Sequence, residues 1–350
     1  MTNFDEYLRQ SEPHKREKSY AWQTAIGLQA VDGLKPSDYL IETARQHIEG
    51  EITIDEVQDR IKNYYRSKTI RTAEDGAKEE ADRASANITR LLGERSFAFT
   101  VAGFTAVHRR IFDGVFKFAG KIRGYDITKK EWVLDGDTVL YVSAPDLRRA
   151  IEYDIEQEKA FDYTGLSLEQ IVNHITKFVS GLWQIHPFGE GNTRTVAVFT
   201  IQYLRSIGFN VENDLFANHS WYFRNALVRA NYQHVQKGVK RNAEYLERFF
   251  RNLLMGEKNE LKNRLLHIGN EVQSIKPNNS KHQFETLNCT LEEKALLDCI
   301  RKNPQVKQRE MAGQIGKSIA TVKRLTVGLV EKGILERKNG KRHGFWEVKI

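Results

Sequence analysis

A chain of 350 residues, 40% hydrophobic and 10% aromatic, is long enough to bury a sizeable core and suits two or three domains. No apolar run reaches the length of a membrane span, and two cysteines, Cys289 and Cys299, offer neither a disulfide framework nor a metal spacing. The net charge of +8 is uneven: thirteen Lys or Arg stand against four Asp or Glu from Arg301 to Ile350, so that segment alone points to a polyanion partner.

The opening "MTNFDEYLRQ" lacks a basic and apolar leader, so a cytoplasmic location is expected. Most of the chain reads as helix, with strand signals confined to two hairpins. "SYAWQTAIGLQAVDGL" has apolar residues at helical spacing and stops at Gly33, and "KPSDYL" then places a proline near the next helix start. "GEITIDEVQDRIKNYY" opens on a Thr53/Glu56 capping box and lines up Val57, Ile61 and Tyr65. The charge-rich "RSKTIRTAEDGAKEEADR" reads as an exposed connection or a solvated helix.

The main body runs from about Ile88 to Gly256. "FTAVHRRIFDGVFKFAGKIR" repeats apolar residues every three to four positions, and "EWVLDGDTVLYV" sets Asp-Gly between two apolar arms, a hairpin signal. "SLEQIVNHITKFVSGLWQI" starts at a Ser167/Gln170 capping box and aligns Ile171, Ile175, Phe178, Leu182 and Ile185 on one face. "LERFFRNLLM" adds a later helix, and the loop "KPNNSKHQ" marks a domain boundary. Beyond it, a Thr290/Glu293 cap, "KQREMAGQIG" and "SIATVKRLTVGLVEKG" predict three helices, and "ILERKNGKRHGFWEVKI" predicts two strands around Asn-Gly. Two short helices, a third carrying Thr321, Lys323 and Arg324, and a basic hairpin with Lys338, Lys341 and Arg342 make a winged helix-turn-helix for double-stranded DNA. The expected domains are 1–70, 71–275 and 276–350.

The long helix delivers "HPFGEGNTRT", His186 to Thr195. Pro187 disfavours the α conformation at His186, so the histidine is expected at the helix end with its side chain projecting into a loop. Gly189 and Gly191 let the backbone turn tightly, and N–H groups at the next helix start, near Asn192, form an anion site suited to phosphates. Arg194 adds a fork that fits phosphate oxygens. Glu190 is a hard oxygen donor for a Mg²⁺ carried in by a nucleotide, and His186, with a pKa near neutrality, can take a proton from a hydroxyl. Base, metal and phosphate cradle together read as phosphoryl or nucleotidyl transfer.

"HPFGEGNTRT" resembles the signature of the Fic family, H-x-F-x-[D/E]-G-N-G-R-x-x-R, and "HRRIFDGVFKFAGKIR" is similar to the helix that precedes it in that family. The resemblance implies a mainly α fold: a helical core with a β-hairpin flap that docks the target, here through Trp132, Val133 and Leu134. It implies transfer of AMP from ATP and Mg²⁺ to a Ser, Thr or Tyr hydroxyl of a target protein. His186 would be the base, Phe188 the loop anchor and Glu190 the metal ligand, with Gly189, Gly191, Asn192, Thr193 and Arg194 at the nucleotide. Two positions depart from the signature: Thr193 replaces a glycine, and Ala197 replaces a second arginine whose charged hydrogen bond is worth roughly 1.5–3 kcal/mol. Transfer of another phosphate-containing group, as by the Doc kinases, is therefore one alternative. A DNA-binding regulator with a nucleotide-sensing, non-catalytic core is the other.

Ser19 to Tyr65 resembles the VbhA-like antitoxin domain, whose inhibitory helix, [S/T]-x-x-x-E-[G/N], sets its Glu against the second arginine. Here "LQAVDG" puts Asp32 before Gly33, opposite Ala197, so weakened autoinhibition is expected. The expected partners are a target protein, double-stranded DNA and a second copy of the chain, with no membrane.

Overall fold

In the computed structural model, which describes residues 4–8, 12–211, 215–269, 291–315, 318–338 and 344–349, the chain divides into two units, Met1–Lys276 and Pro277–Ile350. In the first unit, α1 (Asp5–Leu8) and α2 (Pro13–Gly27) lead into a 3-10 turn, Leu28–Asp32, which closes at Gly33. Ser37 caps α3 (Asp38–Glu49) by accepting the Leu40 N–H, and the Thr53/Glu56 capping box forms in full before α4 (Ile54–Ser67). Trp22, Leu40, Ile48, Val57, Ile61 and Tyr65 bury together against Ala86 of α5 (Ala73–Gly93).

The charge-rich stretch read as an exposed connection or solvated helix begins as both, since residues 68–72 link α4 to α5 and residues 69–74 are exposed, but from Ala81 onward α5 turns a buried face to the core. A Thr72/Asp75 capping box starts it, and Ala81, Ala84, Ser85 and Ala86 are buried. Small residues let neighbouring helices approach closely while giving little apolar signal. Asp82 on the same helix accepts from the Ser37 N–H at 2.8 Å, the Ser37 hydroxyl at 2.5 Å and the Tyr65 hydroxyl at 2.7 Å. Burial raises its carboxyl above the usual range in spite of those donors. The first seventy residues and the core thus share α5 as a common wall.

The core comprises α6 (Val101–Ile111), α7 (Leu147–Lys159), α8 (Leu168–Ile185), α9 (Asn192–Ser206), α10 (Leu215–Asn218), α11 (Ser220–Asn231) and α12 (Glu244–Met255). At its centre lies α9, buried continuously from Asn192 to Leu204. In the expected flap the chain reverses at Asp135 and Gly136, both left-handed, and the Glu131 N–H donates to the Asp137 carbonyl at 2.9 Å. The flanking arms do not pair as strands, because Trp132–Leu134 winds into a 3-10 turn. That turn sends Val133 and Leu134 fully into the core, so of the three expected docking residues only the half-exposed Trp132 stands at the surface. An ion pair between the buried Glu131 and the partly exposed Arg224, 2.7 Å, ties this segment to α11.

In the second unit, α13 (Leu291–Lys302), α14 (Gln308–Ile315) and α15 (Ile319–Glu331) are followed by antiparallel β1 (Leu335–Lys338) and β2 (Phe345–Val348), with Leu335 opposite Val348. Leu296, Ile300, Met311, Val322, Leu329 and Trp346 form its core. Thr290, the Asn339-Gly340 turn, Lys341, Arg342 and the 276–283 loop lie outside the described residues. Among the described residues no helix is long and apolar enough to cross a membrane.

Candidate active site

After α8, His186 takes a left-handed backbone at φ 52°, and Pro187 ends the helix. Phe188 then turns inward, buried beside Phe104 and stacked 3.8 Å from the His108 ring. Asn192 closes the loop: its Oδ1 accepts the Phe188 N–H at 2.9 Å and its Nδ2 donates to the Phe188 carbonyl at 2.7 Å. Both ends of that amide are committed to the turn, so Asn192 shapes the loop. At Gly191, φ is 75° and a Cβ would stand 2.2 Å from the Phe112 ring, which leaves room for glycine alone. With glycine as N-cap, the first N–H groups of α9 have no side-chain acceptor and remain available to an anion.

His186 does not project into an open loop as expected. It is 3% exposed, covered by the Tyr141 ring at 4.2 Å and edge-on to Trp183 at 5.1 Å. Its Nδ1 lies 3.3 Å from the Trp183 carbonyl, which can only accept; the proton is therefore assigned to Nδ1, which leaves the Nε2 lone pair free. Burial first, then the nearby Lys129, Arg224 and Arg123 cations, holds this histidine well below its usual pKa instead of near neutrality. The ring is neutral at pH 7 and competent to accept a proton. Thr193 has a specific role here, since its buried Oγ1 accepts the Trp183 indole N–H at 3.0 Å and so fixes the ring against which His186 packs.

Arg194 is buried under Phe112, its guanidinium 4.7 Å from the ring centroid. One Nη donates to Gln29 Oε1 at 2.9 Å and the other to Glu80 at 2.7 Å. The Asp32 carboxylate sits 2.8 Å from Nε but out of line for a hydrogen bond, so it acts through charge. Asp32 was expected opposite Ala197; that alanine is buried in the core, and Asp32 reaches Arg194 instead. Two carboxylates on one guanidinium leave this corner net negative. Gly33, left-handed at φ 71°, ends the turn that carries Gln29 and Asp32.

Glu190 is half-exposed and ion-paired to Lys129 at 2.8 Å. Among the described residues no group of three ligating side chains stands together. A single carboxylate suits a Mg²⁺ that arrives on phosphates and keeps its waters, once Lys129 has released it.

The motif lies within residues 98–204, which match the Fic/DOC family. This stretch is a Fic domain. The chain is 26% identical over 125 residues to the protein adenylyltransferase VbhT of Bartonella schoenbuchensis, which is 35% of this chain and 25% of that protein. It therefore spans about a quarter of the length of that curated relative. Among solved structures, a Fic family protein of Desulfovibrio desulfuricans aligns over 100% of this chain and 91% of its own at 11% identity and a TM-score of 0.45. BepC of Bartonella tribocorum, solved with bound AMPPNP, aligns over 53% and 88% at 17% identity and a TM-score of 0.41.

His108 and Arg123 open and close the stretch "HRRIFDGVFKFAGKIR" that shares the resemblance, yet neither stood among the expected site residues. His108 accepts the Gly120 N–H through Nδ1 at 2.8 Å and sets Nε2 3.0 Å from the Glu190 carbonyl, bracing the loop; burial lowers its pKa to about 4. Arg123 donates to the carbonyls of His186, Tyr125 and Val142, tying the loop to the flap segment. Exposed cations, Arg109 and Lys121, stand beside them, and spacing alone does not single out His108 or Arg123. Of the expected DNA contacts, Lys323 and Arg324 are exposed on α15, Thr321 is half-buried, and Lys338 is paired with Glu336 at 3.0 Å and Glu347 at 3.5 Å.

Proposed function

We propose that the chain is a protein adenylyltransferase whose N-terminal helices restrain it. The observation that carries this reading is the assigned tautomer of His186, with Nε2 left as a neutral base beside the uncapped N-terminus of α9. In the proposed reaction a target hydroxyl gives its proton to Nε2 as its oxygen bonds to the α-phosphorus of ATP; the bond to the β-phosphate breaks and pyrophosphate leaves. First-turn N–H groups of α9 and Arg194 hold the phosphate oxygens, and Glu190 would hold a Mg²⁺ that offsets their charge. Of the three expected docking residues, Trp132 is the one exposed to a target.

Restraint is proposed because Arg194 is occupied by Gln29, Asp32 and Glu80, which leaves no fork for phosphate until the Leu28–Asp32 turn withdraws. A second reading, transfer of the terminal phosphoryl group, draws on Ala197, where no second arginine stands to fix the outer phosphates. Parallel incubations of a host lysate with α-labelled and γ-labelled ATP separate the two. Label from the α position alone means AMP transfer, and label from the γ position means phosphorylation. For the second unit we propose DNA binding through Lys323 and Arg324, tested by charge reversal at both and the salt dependence of duplex binding.

A further inference from the structure

Away from the motif, a cleft of about 780 Å³ opens among residues of α2, α3, α5 and α9. Its α9 residues begin at Gln202, roughly 15 Å along the helix from Asn192, so it is separate from the phosphate turn. Two residues of its lining, Thr89 and Gln202, 3% and 6% exposed, each hold a buried polar atom with no partner among the described residues, Thr89 Oγ1 and Gln202 Oε1. Rotating the Gln202 amide does not solve this, because its Nε2 already donates to the Leu91 carbonyl at 3.2 Å. A buried acceptor left unmade is costly, and this one belongs to a residue that lines a cavity. It calls for a hydrogen-bond donor.

The rest of the lining calls for an anion. Lys18, Arg90, Arg95 and Arg205 stand against Glu17 and Glu94. Arg90 pairs with Asp55 and Arg205 donates to the Leu92 carbonyl, whereas exposed Arg95 has no partner among the described residues. Tyr20 and Phe97 supply aromatic surface. An inorganic ion would answer the arginine and leave Gln202 unmet, while an apolar ligand would answer neither; a ring with N–H donors joined to a phosphate meets both and suits the volume.

We propose that this cleft binds a nucleoside monophosphate, with its phosphate at Arg95 and its base N–H donors toward Gln202 Oε1 and Thr89 Oγ1. The occupant bridges α2 to α5 and α9, and it does not depend on which group the motif transfers. Calorimetric titration of the full chain with AMP, GMP, CMP and UMP at up to millimolar concentration tests it. At least one binds, and Arg95→Glu, an exposed change that spares folding, weakens that binding at least about tenfold. Thr89→Val weakens it too, and Arg194→Ala leaves it unchanged. Absence of binding by all four nucleotides overturns the proposal. So does equal binding by Arg95→Glu and the unaltered chain, or binding lost in Arg194→Ala, which would place the ligand at the motif.

Discussion

Replacing Asp32 with alanine takes one of two carboxylates off Arg194 and is expected to move stability and nucleotide affinity in opposite directions. The lost contact is an ion pair without a hydrogen bond, at 2.8 Å from a guanidinium that is 1% exposed, while the Asp32 side chain itself is 27% exposed. Glu80 and Gln29 remain, so the arginine is not stranded. The net loss of folding stability is therefore about 1 kcal/mol, the upper end for a partly screened ion pair. Phosphate then meets a neutral pair in place of a net negative corner, and ATP should bind about tenfold tighter, roughly 1.4 kcal/mol. Thermal unfolding reads the first effect and calorimetric titration with ATP the second. A general structural lesion would weaken both. Unchanged or weaker ATP binding by Asp32→Ala would refute the idea that the N-terminal turn competes with phosphate for Arg194.

Gly191→Ala should cost roughly 2–4 kcal/mol in urea unfolding, since its Cβ meets the Phe112 ring at 2.2 Å on a left-handed backbone. Thr193→Val keeps the shape but leaves the buried Trp183 indole N–H unpaired, costing about 1–3 kcal/mol, and Thr193→Ser should restore most of it. His47 and His108, both buried, have pKa values lowered to about 4 from 6.5. Below pH 6.5 the unfolded chain takes up protons that the folded chain refuses, so stability is full above that pH and falls toward pH 4, by roughly 3 kcal/mol for each histidine. Urea unfolding across that window checks it, and a flat profile would contradict the burial argument.

Much of the helical plan was legible because caps and apolar spacing are local signals. The Thr53/Glu56 and Ser167/Gln170 boxes form as written, and the motif lies between two helices with Phe188 buried. Features set by tertiary contact were not legible. The α5 helix hides its buried face behind alanines among charges, and the Trp132–Leu134 turn breaks an alternation that otherwise reads as strand. Position 193 shows the same limit: in the sequence the threonine is only a departure from the signature glycine, and only the fold supplies Trp183 as its partner. Asp32 aligned with Ala197 by motif spacing, yet the 3-10 turn that carries it delivers its carboxylate to Arg194. His108 and Arg123 matter through backbone carbonyls that sequence cannot place beside them.

Covalent label from α-labelled ATP on protein in a host lysate, followed with the intact chain, Asp32→Ala and His186→Ala, tests the central claim most directly. The account requires label with the intact chain, more with Asp32→Ala, and none with His186→Ala. Label that persists undiminished in His186→Ala would contradict it.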